Sequence, residues 1–246
     1  MKIIFELTKL ELKLFLREPV TMIFTFGLPL IFLPVLGSVF GSIPDVEMYR
    51  GFQPMDFYTP AYVGLVIASI GLIQLPLHLS NYKERRILRR YRASSISAFS
   101  ILIPQVLVSL LIAAMGAVAV VLVGVVFYQT QVPTDWMGVI CAFFLSVLCF
   151  VSIGFLLGAI LPNARAAQGA GLIMYLIMMM LGGAGPPRAY LSSALRIVGD
   201  FTPFRHIVTL IQDPWLGFGW NYTEMFIVGG IMIVASLLSL KLFRWE

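Results

Sequence analysis

The chain has 246 residues, 59% of them hydrophobic and 12% charged, at a mean hydropathy of +0.93. Soluble domains carry roughly a quarter of their residues charged, so this composition excludes an ordinary water-soluble globule and makes a lipid bilayer the expected solvent. The net charge of +5 comes without a folded basic module able to grip a polynucleotide, so no nucleic-acid partner is expected.

Residues 1–18, MKIIFELTKLELKLFLRE, read as an amphipathic helix. At about 100° per residue, Ile3, Leu7, Leu10 and Leu14 share a face with Ile4 and Phe15, while Lys2, Lys9, Lys13 and Arg17 cluster opposite. Its mixed charge suits a helix lying in the membrane interface rather than crossing it. Glu11 falls within the apolar arc, where a lone carboxylate is costly. Either it snorkels, or the helix is rotated, or it accepts a cation from the 81–92 segment or from a partner. Glu18 precedes Pro19; a residue before proline avoids the α region, and proline suits a first helical turn. The chain is expected to break at Glu18 and turn into its first span. That apolar run is longer than a signal-peptide core and has no small-residue cleavage pattern, so it reads as a retained span.

A spanning helix needs about 20 mostly apolar residues. Six segments qualify: 20–40, 58–79, 101–128, 137–161, 168–185 and 223–243. Backbone groups in hydrocarbon must bond within their own segment, so all six are expected to be helices. The fold class is therefore an all-α polytopic membrane protein, one domain over 1–246. It comprises the interfacial helix (1–18), spans one and two (19–80), a polar loop (81–100), spans three to five (101–185), an irregular region (186–222), and span six with its tail (223–246).

The loop after span two, NYKERRILRRYRASSISAFS, sets Lys83, Arg85, Arg86, Arg89, Arg90 and Arg92 against Glu84. Ile87, Leu88 and Tyr91 among these arginines form an apolar ridge with a charged rim. Such a ridge suits a groove on another protein, because guanidinium groups pair bidentately with carboxylates. Anionic membrane lipids are the other partner it suits.

Further along, Cys141 and Cys149 lie about 12 Å apart on one helix at 1.5 Å per residue, too far for a disulfide. Gly154 and Gly158 form a G-x-x-x-G pair of the kind that lets helices approach closely. Met174 and Met178–Met180 suit either an adaptable apolar route or plain core and lipid contact. Gly182, Gly183, Gly185, Pro186 and Pro187 then interrupt the fifth helix. Irregular backbone at membrane depth is tolerated only where protein or a cavity covers it. The 186–222 region is thus expected to dip back and cap the outer mouth of a pathway; the plain alternative is a surface loop with interfacial Trp215 and Trp220.

All but Arg50, Arg188, Arg196 and Arg205 of the 17 basic residues fall on the side of the termini and the 81–100 loop. Asp45, Glu47, Asp56, Asp135, Asp200, Asp213 and Glu224 fall on the other side. Positive residues favour the cytoplasm, so both termini and the loop are expected there, in the inner (plasma) membrane. Span interiors carry almost no ionisable groups, with Gln74, His78, Gln105 and Gln168 as the polar exceptions, too few for an ion-coupled pump or an intramembrane enzyme. His78 and His206, the only two histidines, are expected on opposite faces as interfacial residues. The phosphate-binding G-x-x-x-x-G-K-[ST] needs a Gly-Lys pair, and the chain has none. No catalytic group, cofactor or metal site is expected in this chain, so any work it does must be driven from elsewhere.

An interfacial helix ending REP, a first span with Pro29 and Pro34, a basic loop after span two, a Gly/Pro-broken fifth-span region and an FRWE tail together resemble the permease subunit of ABC-2 type transporters. The likeness covers essentially the whole chain. It implies a coupling helix between spans two and three, seated in a groove of an ATPase subunit, with a usual pattern like E-x-G-T-L-x-R-L-R-x-[ST]-P-[LI]-S. Here the segment is ERRILRRYRASSIS (84–97). Leu88, Arg90, Arg92, Ser94, Ile96 and Ser97 fit, while Arg86, Ile87 and Ser95 replace Gly, Thr and Pro. The resemblance assigns ATPase coupling to Glu84, Arg85, Arg86, Ile87, Leu88, Arg89, Arg90, Tyr91, Arg92 and Ser94, and the missing Gly and Pro lead us to expect a more continuous helix. Glu11, Arg17, Glu18 and Pro19 belong to the interfacial helix and its break, and Gly182, Gly183, Gly185, Pro186 and Pro187 to the outer gate.

The implied function is an ATP-driven exporter subunit for an amphiphilic or apolar substrate such as a drug or lipid. Its partners would be cytoplasmic ATPase subunits holding ATP and Mg, and a second permease copy or paralogue. A polysaccharide or lipid-linked glycan exporter is the nearest rival and would show an aromatic-lined channel. A non-transporting scaffold or immunity partner would show no substrate-dependent ATPase stimulation.

Overall fold

The computed structural model describes residues 2–40, 49–87 and 98–242, with side chains outside 2–4, 40 and 98–101. Among these residues there are helices and no strands. Six helices are long and apolar enough to cross a membrane: Pro19–Val39, Pro54–Glu84, Leu102–Tyr128, Trp136–Ile160, Ala164–Leu181 and Tyr222–Leu242. They match the six expected spans, with one change of scale. Span two extends past both expected ends, because Pro54 opens it and the charged residues up to Glu84 continue it.

The N-terminal helix Lys2–Phe15 ends where expected. Glu18 is non-helical, at φ −103 and ψ 88, and Pro19 starts span one. Spans one and two each contain a single π-helical stretch, Ile23–Gly27 and Ile70–Gln74. Such stretches free carbonyls that another group must satisfy. Here Ser69 donates to Thr25 Oγ1 at 2.9 Å, and the Tyr175 hydroxyl reaches the Phe24 carbonyl at 3.4 Å.

Span two is the axle of the bundle. Its apolar window is 94% buried, against 17% to 56% for the other five. Spans four and five pack directly onto it through glycines. A Cβ at Gly71 would strike the Phe150 carbonyl, one at Gly154 would lie 2.6 Å from the Gly71 oxygen, and one at Gly171 would strike the Leu72 carbonyl. The G-x-x-x-G of span four thus does mediate close approach, with Gly158 meeting Leu79. Span six packs most extensively on span four, where Ser236 donates to Ser152 at 3.0 Å. Met178 and Met179 are core, whereas Met180 is exposed. Both cysteines are free, Cys141 exposed and Cys149 buried.

Between spans five and six stand a 3-10 turn (Arg188–Tyr190) and the helices Ser193–Asp200 and Pro203–Leu216. The last of these buries Phe204, Ile207, Leu210, Ile211 and Trp215 against spans two, four and six. It is an integral part of the bundle, which removes the plain-surface-loop alternative.

Candidate functional site

Six crossings place both termini on one face, and that face carries the first cluster. Glu11 is buried, at 5% exposure. Tyr82 donates to Glu11 Oε1 at 2.6 Å, and His78 Nε2 lies 2.6 Å from Oε2. The His78 contact is a close ion pair without the alignment of a hydrogen bond. His78 Nδ1 is 3.8 Å from Glu18 Oε1, and Thr21 donates to Glu18 Oε2 at 3.3 Å. Glu11 therefore does not snorkel. Among the described residues its donor is Tyr82 of the 81–92 segment, with His78 one turn earlier in close contact; Arg89, Arg90 and Arg92 lie outside those residues. To bring it in, the N-terminal helix buries Glu11 and Phe15 and leaves Leu10 exposed, so its inward face is turned from the one the apolar residues alone define. Arg17 points to solvent.

Span two ends in two residues of opposite charge, and each finds the helix end that suits it. Lys83 Nζ donates to the carbonyls of Ala159 and Leu161 at 3.0 and 3.3 Å, at the C-terminus of span four. Glu84 Oε1 accepts from the Ala164 amide at 2.8 Å, the first turn of span five. A cation at a helix C-terminus and an anion at an N-terminus are both favoured by the helix dipole. The base of the basic loop is thus bonded to spans four and five, and through Tyr82 to the N-terminal helix.

The helix stops at Glu84 and turns at Arg85. Arg86 has φ +54, the left-handed region that costs a side-chain-bearing residue about 1–2 kcal/mol. Span two thus breaks at Arg85 and Arg86, and most of the segment expected to form a more continuous helix lies outside the described residues. Arg86 replaces the family's glycine yet keeps a backbone that glycine would favour. Arg85 and Ile87 are in the described part; Leu88, Arg89, Arg90, Tyr91, Arg92 and Ser94 lie outside the described residues.

The opposite face holds the second cluster. Span five ends at Leu181, with Gly182 as its cap and Gly183 at φ +111. Gly185 offers its carbonyl to the Tyr58 hydroxyl at 2.9 Å. Gly183, Pro186 and Pro187 line a cavity of about 310 Å³, together with Tyr49, Arg50, Arg188, Arg205 and other residues of span two and the Pro203–Leu216 helix. Of the expected interrupters, Gly183, Pro186 and Pro187 thus share one wall, while Gly182 and Gly185 are not among the lining residues. Arg188 holds Asp200 bidentately at 2.6 and 3.0 Å. That hydrogen bond keeps the Asp200 carboxyl below its usual range. Burial lowers the Arg205 guanidinium from its ordinary value, and the neighbouring Arg188 charge adds to this. His206 bridges Glu224 (2.6 Å) and the Asp200 carbonyl (2.9 Å), on the face opposite His78.

The Lys83, Glu84 and Glu11 contacts escaped the sequence reading, because their partners lie 71 to 80 residues away. The one available signal was a Lys-Glu pair at a helix end. No groups of His, Cys, Asp or Glu among the described residues could hold a metal ion.

Comparison with curated proteins returns no match. The family model for the ABC-2 type transporter matches residues 3–216. Six membrane-crossing helices, an interfacial N-terminal helix bonded to the base of a basic loop, and a folded connector before the last span belong together in this setting: the chain is a membrane-embedded permease component of the ABC-2 type transporter family.

Proposed function

We propose that this chain is the membrane subunit of an ATP-driven exporter, moved by a separate cytoplasmic ATPase that grips residues 84–97, with ATP and Mg held by that partner. The observation that carries this is the bonding at the base of the loop. A displacement of Tyr82, Lys83 and Glu84 acts at once on the N-terminal helix, span four and span five. A loop wired into three elements is suited to pass a push into the bundle, since packed elements shift as units between discrete arrangements. Charge placement supports cytoplasmic termini in the inner (plasma) membrane. A second permease copy or paralogue completes the pathway, and the scarcity of charge in the spans favours an amphiphilic or apolar cargo.

The test is purification of the native complex. An ATPase chain co-elutes, and its crosslinks fall within 84–97. Lys83→Met, just outside the gripped segment, keeps the ATPase bound but lowers substrate-stimulated hydrolysis several-fold. Absence of any ATPase, or full stimulation in this variant, removes the coupling role.

A further inference from the structure

We propose that the cavity on the face opposite the termini binds the phosphate of an anionic lipid-type headgroup, held by the guanidinium groups of Arg50, Arg188 and Arg205. The proposal names the charge class of what meets that mouth, and it rests on the permease reading for its biological role. All three arginines line the cavity, with Asp213 as the acid among its lining residues. The Asp213 Oδ2 already accepts the Asn221 amide at 2.7 Å. Asp200 neutralises Arg188 but lies 3.9 Å from Arg205 Nε, beyond hydrogen-bond reach. Arg205 Nε is buried without a hydrogen-bond partner, and its Nη1 meets Thr209. Arg50 lies over the Phe218 ring at 5.0 Å; no ion pair joins it to a carboxylate of the described residues, Asp45 and Glu47 lying outside them. Among the described lining residues three arginines stand against the one acid Asp213, with Asp200 bound to Arg188.

Three arginines on the lining of one cavity suit a phosphate, whose oxygens accept more N–H groups than a carboxylate does. The remaining wall mixes apolar residues such as Phe57 and Pro187 with the polar Thr209 and Gln212. A volume of about 310 Å³ sits at the low end for ligand sites, so it admits a headgroup and leaves acyl chains outside. Depth agrees. Trp136 and Tyr222 open spans four and six on this face, and Tyr190 and Phe201 stand exposed on the connector. Aromatic side chains in such a ring mark the headgroup level of a bilayer.

Binding is read by native mass spectrometry on the full chain in micelles, without an ATPase. The probes are dihexanoyl phosphatidylglycerol, dihexanoyl phosphatidylcholine and inorganic phosphate. The anionic lipid binds about tenfold or more tightly than the zwitterionic one, and Arg50→Gln and Arg205→Gln each weaken it by about tenfold, the scale of one charge-assisted hydrogen bond. Binding of phosphatidylcholine, whose choline cation offsets the same phosphate charge, is weakened less by either variant. Displacement by inorganic phosphate at matching concentration assigns a soluble anion, and resistance to it assigns the lipid headgroup; both support an anion site. Equal affinity for the two lipids, or unchanged affinity in both variants, overturns it. Arg50 is exposed, so Arg50→Gln decides the matter even where Arg205→Gln fails to fold. A chain that lacks the preference yet transports with an ATPase loses the site and keeps the permease reading; one that shows it but recruits no ATPase does the reverse.

Discussion

Spans two and six are alike in sequence character and opposite in use. Their mean hydropathies are 1.8 and 2.2, yet the apolar window of span two is 94% buried within the chain and that of span six 17%. Hydropathy reports transfer from water to an apolar medium and does not distinguish lipid from protein. What separates the two helices is side-chain size and the placement of polar groups. Span two and the helices on it have glycines where backbones touch, and a polar end that bonds to three neighbours. Span six has Gly229 and Gly230 facing open space.

The largest way to break this contrast is at the polar end of span two. Glu11→Ala removes the buried carboxylate that Tyr82 and His78 share, and leaves His78 the longer contact to Glu18. Removing one partner of a buried pair costs about 3–5 kcal/mol. The expected result is a stability loss of about 3 kcal/mol in denaturant unfolding of the micellar chain. Glu11→Gln, which retains an acceptor for Tyr82, loses less. A double cycle with His78→Ala, which removes a partner of the same carboxylate, shows strong non-additivity.

Next comes the glycine contact. A Cβ at Gly171 would overlap the Leu72 carbonyl, and a backbone atom cannot swing away as a side-chain tip can. Gly171→Ala must push span five off span two, at about 1–3 kcal/mol for overpacking. A thermal unfolding midpoint indistinguishable from the parent chain would show that the two helices are not in backbone contact.

These cases show what could be read from the sequence. The six spans, the break at Glu18 and the interruption after Leu181 were legible, because length, apolarity, proline and glycine act locally. The Gly154–Gly158 pair gave packing but not its partner. The pairing of Glu11 with Tyr82 and His78 was not legible, since only the fold brings residue 11 to residues 78 and 82. The same holds for Lys83 and Glu84, which look like loop charges until spans four and five end beside them. The arginines around the far cavity come from three separate segments and were legible only as scattered exceptions to the charge bias.

Arg86 is a smaller test at the same end of span two. Its φ of +54 opposes the ordinary preference of a side-chain-bearing residue, so Arg86→Gly is expected to stabilise the chain by about 1 kcal/mol. The loss of a cation next to the ATPase-facing segment should appear separately, as weaker ATPase binding at low salt that fades as salt screens the charge. Destabilisation by Arg86→Gly would show that the turn is not left-handed.

The smallest effect belongs to span six. Among the described residues, nothing beyond the local helix backbone lies within 4 Å of a Cβ built at Gly229 or Gly230, so an added methyl meets no described neighbour. Alanine also restrains the unfolded chain more than glycine, which favours the helix by roughly 0.5–1 kcal/mol. Gly229→Ala should therefore leave stability unchanged or raise it by less than about 1 kcal/mol, against the loss expected for the same substitution at Gly171. Cross-linking the variant in membranes extends the test to the assembly. If the face of span six meets lipid, the variant assembles as the parent does. If a second permease chain packs on these glycines, the added methyl lowers the dimer yield while leaving the single chain as stable as before, and the exposed face becomes an interface.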